Sequence, residues 1–173
     1  MPTHDAKSAQ LDVLSFKEGL LSAVAHDLRL AAESFTITHD FEAKTVSMRV
    51  DANAIRVACA RANGVDAPSV LSDRDRREID KNLHRDVLDV ARHPTITFAS
   101  TSLRQEGDRW SIEGDLTLCG KTRSIRATVG RDGDAWTTEV RLHQPDFGIR
   151  PFSAMLGALK IKPDVLVRVR APA

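Results

Sequence analysis

The sequence predicts an all-β domain of antiparallel strands with one main α-helix. Three observations indicate this class: apolar and polar residues alternate in several short segments, turn residues separate these segments, and one stretch has helical periodicity behind a capping serine. A chain of 173 residues can bury a large core. Because it contains no long polar linker and no internal repeat, we expect residues 1–173 to form a single domain, with an ordered core over about residues 11–171.

The clearest strands lie in the middle of the chain. Trp110, Ile112 and Leu116 alternate with polar neighbours through residues 109–118, which is the period of a half-buried strand. The alternation resumes after turn-like residues 119–123 and again after the turn at 132–134. These three segments predict consecutive antiparallel strands.

Similar alternation occurs toward both ends of the chain, at residues 35–41, 46–50, 96–98 and 165–169. Many short strands joined by tight turns suit a closed barrel, and about eight strands leave room for side chains or one small ligand. A two-layer sandwich has the same alternation and differs only in strand pairing. The pattern by itself leaves barrel and sandwich as equal alternatives.

One segment, residues 72–90, has the periodicity of a helix. Ser72 is followed three residues later by Asp75, as in a capping box, and Ile79, Leu83 and Val87 recur every four residues. The remaining positions are mostly charged. We therefore expect a helix that packs one apolar stripe on the barrel and exposes its other face.

Charge and cysteine content exclude several classes of function. Lys and Arg number 25 against 24 for Asp and Glu, so no strong field would attract nucleic acid. Cys59 and Cys119 lack a metal-binding or redox spacing, and we expect free thiols in a reducing compartment. Neither a transmembrane helix nor a signal-peptide pattern is present, which predicts a cytoplasmic protein. A homodimer is compatible with the sequence.

The six histidines form no metal-binding or catalytic pattern. The most suggestive polar pair is His26 with Asp27, but adjacent strand residues point to opposite faces, so Asp27 cannot readily orient His26 as in a triad. No nucleophile-elbow, zinc-protease or phosphate-loop motif occurs. We expect no metal, no cofactor and no catalytic residue.

Three motifs, in this order along the chain, resemble those of the YceI-like family. Residues 86–103 resemble its "D-F-F-D-x-x-x-Y-P-T-I-x-F-x-S" signature, residues 112–123 its "G-D-L-T-I-H-G-V-T-K" hairpin, and residues 144–149 its "R-x-D-F-G-I" element. The chain departs from the family at His93, at Val87 and Leu88, and at Cys119. The resemblance is strong from about residue 71 onward and weaker before it.

The resemblance implies an eight-stranded, lipocalin-like antiparallel barrel with one main helix and an apolar ligand inside it. The expected ligand is an amphiphilic lipid such as a polyisoprenoid, a quinone-like molecule, or a fatty acid or amide, which the protein would bind, sequester or transport. Two other functions stay open: an enzyme, such as a hydrolase or isomerase, that acts on a small amphiphile through His26, and a ligand-free stress or interaction protein.

The candidate ligand-binding residues fall into three groups. Inward strand positions could line a cavity or fill a dry core, and they are Phe98, Trp110, Ile112, Leu116, Val140 and Phe147. His26 could hydrogen-bond a head group or be structural. A Gly- and Pro-punctuated apolar segment could be a gating flap or a plug at the barrel mouth, and its apolar residues are Phe152, Met155, Leu156 and Leu159.

Overall fold

The computed structural model describes residues 1–19 and 25–173, most of which lie in β-strands. The first eight strands are β1 (Thr3–Asp5), β2 (Gln10–Ser15), β3 (Lys17–Glu18), β4 (Asp27–Ala32), β5 (Phe35–Asp40), β6 (Thr45–Asp51), β7 (Ile55–Ala62) and β8 (Val65–Ala67). The others are β9 (Thr95–Glu106), β10 (Arg109–Leu118), β11 (Lys121–Asp132), β12 (Ala135–His143), β13 (Ser153–Ala154), β14 (Leu159–Ile161) and β15 (Asp164–Pro172).

Twelve of these strands form one curled antiparallel sheet, which confirms the all-β barrel with one main helix. Their order is β1, β5, β6, β9, β10, β11, β12, β15, β2, β4, β7, β8. The number exceeds the expected eight because two short strands, β1 and β8, extend the sheet at its edges, and because β2 and β4 add strands near the N-terminus. In the described part of the chain β1 and β8 do not pair, so the hydrogen-bonded ring is open there.

The hairpins define two ends of the barrel. The turns after Glu106 and after Asp132 lie at one end, which we call the hairpin end. The turn at Cys119 and Gly120 lies at the other, together with the pair His143 and Asp164 that begins the pairing of β12 with β15. We call this the lid end.

The predicted helix is confirmed as α1 (Asp73–Asn82), which continues into a π-helical turn (Leu83–Val87). Ser72 and Asp75 form the expected capping box. Two hydrogen bonds join this segment to β7: Asp80 Oδ1 accepts from the Val57 amide at 2.7 Å, and His84 Nε2 donates to the Ile55 carbonyl at 2.7 Å. The segment ends before the predicted residue 90 because Asp89 has a left-handed φ of 45°.

A second, small sheet crosses the lid end. Its order is β13, β14, β3, and we call residues 152–161 the lid. The Lys162 amide donates to the Phe16 carbonyl at 2.7 Å, and the Gln144 amide donates to the Pro163 carbonyl at 2.8 Å. The segment for which the sequence left a gating flap and a plug as alternatives is tied to the barrel by backbone hydrogen bonds.

The buried apolar residues form two clusters. One lies between the helical segment and strands β4 to β7 and includes Leu30, Phe35 and Val50. The other lies under the turn of residues 144–147 and includes Leu142 and Phe147. Among the helices described, none is both long enough and apolar enough to span a bilayer.

Candidate ligand-binding cavity

The barrel encloses a cavity of about 480 Å³. This volume falls within the range of about 300 to 1,000 Å³ that is usual for small-molecule sites. Of the described residues that line it, most are apolar and none is Asp, Glu, Lys or Arg. Such a surface favours a hydrocarbon chain, because a charged group would lose its hydration there without a partner.

Eight of the eleven candidate residues lie on this cavity. They are His26, Phe98, Ile112, Leu116, Val140, Phe147, Phe152 and Leu159. The strand candidates among them come from β9, β10 and β12, where strand alternation directs every second side chain inward. Phe152 and Leu159 approach from the lid.

Phe98 owes its position to a glycine on the neighbouring strand. A Cβ atom at Gly114 would lie 2.4 Å from Phe98 Cζ and 2.5 Å from the Ala99 carbonyl oxygen. No side chain could occupy that space, so the Phe98 ring lies directly over the Gly114 backbone. On the inward face of β10, Ile112 and Leu116 therefore flank the space left by Gly114, and the Phe98 ring fills that space.

Three candidate residues do not line the cavity. Trp110 packs against Phe41, with ring centroids 4.8 Å apart, and Phe41 rather than Trp110 reaches the cavity. Met155 and Leu156 lie in a turn with φ values of 53° and 56°, and both side chains are exposed to solvent. Composition alone could not distinguish this outward turn from an inward one.

Much of the lining was missed by the sequence prediction. Leu11 and Val13 of β2 and Leu28 and Leu30 of β4 contribute to it, as do Ile79, Leu83 and Val87 of the helical segment. The two strands have apolar residues at alternate positions, so their parity could have identified them. The helix was expected to pack on the barrel, but no sequence signal showed that it closes part of the cavity.

A few polar groups face the cavity at the lid end. Ser15 and Gln144 are buried, each 8% exposed, and both line it together with His26. Gln144 Nε2 donates to the Lys162 carbonyl at 3.0 Å. Ser15 is the last residue of β2, and Lys17 two residues later begins β3 of the small sheet. Asp27 Oδ1 accepts from the Lys17 amide at 2.9 Å and does not line the cavity. His26 and Asp27 thus have separate surroundings, although only Asp27 belongs to β4 and His26 precedes the strand.

Aromatic rings close the hairpin end. Phe41 lies between Trp110 and Trp136, and His39 stacks on His4 with their Nε2 atoms 3.2 Å apart. Burial, together with the neighbouring His4 ring, lowers the pKa of His39. His39 is therefore a neutral ring near pH 7, which suits its place on the cavity surface.

Cys119 and the pair His143 and Asp164 are not among the residues that line the cavity. Burial raises the pKa of the Cys119 thiol to about 11, and its Sγ donates to the Leu88 carbonyl at 3.4 Å, so the thiolate is disfavoured. His143 Nδ1 lies 2.6 Å from Asp164 Oδ1, but this pair is on the exposed surface and away from the cavity. Within residues 1–19 and 25–173, no three His, Cys, Asp or Glu side chains are grouped as metal ligands.

Comparisons with known proteins agree with this architecture. Protein YceI of Escherichia coli O157:H7 is 32% identical over 108 residues, which cover 56% of this chain and 55% of that protein. The match thus spans about half the length of this curated relative. UPF0312 protein ECA1782 of Pectobacterium atrosepticum is 37% identical over 68 residues, 37% of this chain and 35% of that protein.

Two solved structures share the fold along nearly the whole chain. BcnA of Burkholderia cenocepacia superposes with a TM-score of 0.66 at 16% identity, covering 98% of each chain. A polyisoprenoid binding domain from Saccharophagus degradans, implicated in plant cell wall breakdown, superposes with a TM-score of 0.59 at 12% identity, covering 95% of this chain and 94% of that one. At these identities the likeness concerns the fold alone.

The family assignment rests on the whole domain. The family model for the YceI-like domain matches residues 6–173, which include the three motifs, the helix and the cavity-lining strands. The chain therefore belongs to the YceI-like domain family.

Proposed function

We propose that this protein binds one apolar amphiphile inside its barrel and so sequesters or carries it. The observation that carries the proposal is the cavity of about 480 Å³ whose described lining contains no charged side chain. Each CH₂ group transferred from water to such a surface contributes about 0.8 kcal/mol. A polyisoprenoid, a quinone-like molecule or a fatty amide fits this chemistry, and the polyisoprenoid-binding function in the name of the Saccharophagus domain supports the same ligand class.

The distribution of polar groups gives the ligand an orientation. Ser15, His26 and Gln144 lie at the lid end, whereas Phe41 and Trp136 cover the hairpin end. We place a single uncharged head group beneath the lid, within reach of those three side chains. The apolar chain then extends toward Phe41 and Trp136, whose rings offer it apolar contact area.

We also propose that the protein is a binding protein and not an enzyme. A hydrolase or isomerase acting through His26 would need a second group to orient the imidazole and hold its proton. Asp27, its neighbour in sequence, bonds instead to the Lys17 amide. Incubation of purified protein with long-chain esters and quinones, followed by mass spectrometry of the small molecules, should return them unchanged.

A cytoplasmic location is also part of the proposal. Cys59 is buried and Cys119 half-buried, and both are free thiols, as is usual in a reducing compartment. Cell fractionation with an epitope tag tests the location directly, and recovery in an extracytoplasmic fraction would contradict it.

The decisive experiment for ligand binding is native mass spectrometry of protein purified from cells without detergent. An apolar adduct that is retained in the gas phase and released into organic solvent would support binding. The adduct should consist of a long hydrocarbon chain with one uncharged polar group. If the protein is always recovered without an adduct and takes up neither a decyl-substituted benzoquinone nor a long-chain fatty amide, the ligand-free alternative is correct.

A further inference from the structure

The tip of the lid presents two apolar side chains to solvent. Met155 is 67% exposed and Leu156 is 109% exposed, although apolar residues on either side of them, Phe152 and Leu159, reach the cavity. The lid therefore has an inner apolar face toward the cavity and a separate outer apolar tip. The tip contributes nothing to the cavity surface, so the proposed ligand does not account for it.

The backbone of the tip has an unusual conformation. Met155 and Leu156 have φ values of 53° and 56°, in the left-handed region that Gly and Asn occupy most readily. Side chains with a Cβ are disfavoured there, and Gly157 with φ of 85° completes the turn. A turn that needed only to connect β13 to β14 would be more stable with Gly or Asn at these positions, so the two large apolar side chains call for another explanation.

The lid segment itself is basic in sequence. Between Asp146 and Asp164 the chain contains three cationic residues, Arg150, Lys160 and Lys162, and no acidic one. All three side chains are exposed. The chain as a whole is nearly neutral, with 25 basic and 24 acidic residues, so the lid segment is a local concentration of positive charge.

Asp146 is an exposed acidic residue beside the lid, and several other acidic groups at this end have partners. Asp164 lies 2.6 Å from His143 and 3.4 Å from Arg141, and Asp27 accepts from the Lys17 amide. Glu18 of β3 is opposite Lys160 in the small sheet. Another cation, Lys121, extends toward Gly148 at the same end, with its Nζ 3.1 Å from the position of a Cβ there.

From this arrangement we propose that the lid end docks on the surface of an anionic lipid membrane. Met155 and Leu156 insert among the acyl chains, and Lys160, Lys162 and Arg150 lie at the level of the phosphate groups. Exposed apolar residues within a basic surface bind such interfaces in two ways: the apolar side chains are buried among the acyl chains, and the cations are attracted to the anionic lipids. The proposal rests on the proposed function, since the cavity lies directly beneath the lid and docking would let a lipid pass between bilayer and barrel without crossing water.

Vesicle flotation tests the docking. The wild-type protein should float with vesicles of phosphatidylcholine containing about one third phosphatidylglycerol, and bind pure phosphatidylcholine more weakly. The double variant Lys160→Gln/Lys162→Gln should bind the anionic vesicles roughly 30-fold more weakly, at about fivefold for each lysine lost. The matched control Lys7→Gln/Lys44→Gln, which removes two exposed lysines remote from the lid, should bind like the wild type.

The apolar contribution is tested by Met155→Asn/Leu156→Asn. Asn is favoured in the left-handed region, so this variant should keep the turn while losing at least about tenfold in affinity for the vesicles. The swap Met155→Leu/Leu156→Met keeps the apolar surface and should retain binding. Thermal unfolding of the lysine variants and of the Met155→Leu/Leu156→Met swap should match the wild type, because these side chains are exposed. Met155→Asn/Leu156→Asn should be at least as stable, because Asn is favoured in the left-handed region. Equal flotation of the Asn variant and the wild type would overturn the proposal.

Loading with a decyl-substituted benzoquinone in detergent, read by native mass spectrometry, separates this inference from the proposed function. Protein that carries the quinone but does not float overturns the docking and leaves the function standing, and a protein partner would then be the occupant of the tip. Protein that floats without carrying any probe supports docking and contradicts the function. If Met155→Asn/Leu156→Asn also loses the quinone in detergent, the tip serves the cavity and the docking proposal is wrong.

Discussion

At the scale of single residues, strand parity determines which substitutions the barrel tolerates. Leu116 of β10 is 4% exposed and lines the cavity, whereas the next residue, Thr117, hydrogen-bonds through its Oγ1 to Thr122 Oγ1 at 2.7 Å. Leu116→Asp buries an unpaired carboxylate, which costs several kcal/mol, so folding or ligand binding should be lost. Thr117→Asp should fold and bind normally. Circular dichroism melts and native mass spectra of both variants test the pair, and a Leu116→Asp protein that still carries ligand would contradict the inward assignment.

His39 predicts a loss of stability on mild acidification. Burial and His4 lower its pKa in the folded protein, so below the ordinary histidine value of about 6.5 the unfolded chain binds a proton that the folded one does not. The contribution of His39 to the free energy of unfolding is thus fully present above about pH 6.5 and is lost as the pH falls. Urea unfolding at pH 7.5, 6.5 and 5.5 should show decreasing free energies of unfolding in the wild type. In His39→Gln the free energy of unfolding should depend less on pH. The control His93→Gln, which is away from the His4 and His39 pair, should keep the pH dependence of the wild type.

The histidine pair also illustrates what single residues reveal before the fold is known. His4 and His39 are 35 positions apart, and their contact depends on β1 lying beside β5 at the sheet edge. Nothing in either local sequence indicates that pairing. The expectation for His26 and Asp27 assumed that both lie on one strand, whereas β4 begins at Asp27 and His26 precedes it, although the two side chains do have different surroundings.

At the scale of elements, the lid combines closure with attachment to the barrel. Phe152 lines the cavity and is only half-buried, and the lid is joined to the barrel by backbone hydrogen bonds such as Lys162 to Phe16. Phe152→Ala should speed the release of a bound quinone while leaving the melting temperature of the empty protein nearly unchanged. Stopped-flow release and calorimetry of ligand-free protein measure the two quantities. A large drop in the melting temperature would mean that the lid is a structural plug.

The capping box of α1 predicts a moderate stability effect. The Ser72 hydroxyl accepts from the Asp75 amide at 3.1 Å, and hydrogen bonds from Ser72 lower the pKa of Asp75. Ser72→Ala removes the cap and should reduce the free energy of unfolding by about 1 kcal/mol, whereas Ser72→Asn should retain most of it. Because the helical segment lines the cavity through Ile79, Leu83 and Val87, the Ala variant should also bind its ligand more weakly. Unchanged denaturation midpoints would indicate that α1 is fixed only by its contacts with β7.

The sequence predicted those helices and strands whose signals lie within a few neighbouring residues. The period of residues 109–118 and the Ser72 cap gave β10 and the start of α1 directly, because each depends on neighbours within a few positions. The outward turn at Met155 and Leu156 was not predictable, since apolar residues usually indicate burial and the left-handed backbone there has no residue-type signal.

At the scale of the whole molecule, the cavity depends on pairings between strands that are distant in sequence. β15 pairs with β2, with Val169 opposite Leu11, and β6 pairs with β9, with Met48 opposite Phe98. Alternation assigns each side chain to a face but does not choose the neighbouring strand, and so it could not distinguish barrel from sandwich. The three family motifs supplied that choice, because they carry the fold of the whole domain.

The uncharged cavity predicts how the molecule selects between ligands that share one hydrocarbon chain. A long-chain fatty amide and the corresponding fatty acid differ only in the head group. At pH 7.5 the acid is a carboxylate, and the described lining residues include no Lys or Arg to compensate its desolvation. The amide should therefore bind at least about tenfold more tightly, as measured by displacement of a fluorescent lipid.

Protonation of the acid removes the difference, so the two affinities should converge toward pH 5, over a range in which folding is checked in parallel because of His39. If acid and amide bind equally at pH 7.5, the head group lies outside the cavity, among the basic residues of the lid end. That result would leave the chain in the barrel but contradict the placement of the head group beside Ser15, His26 and Gln144.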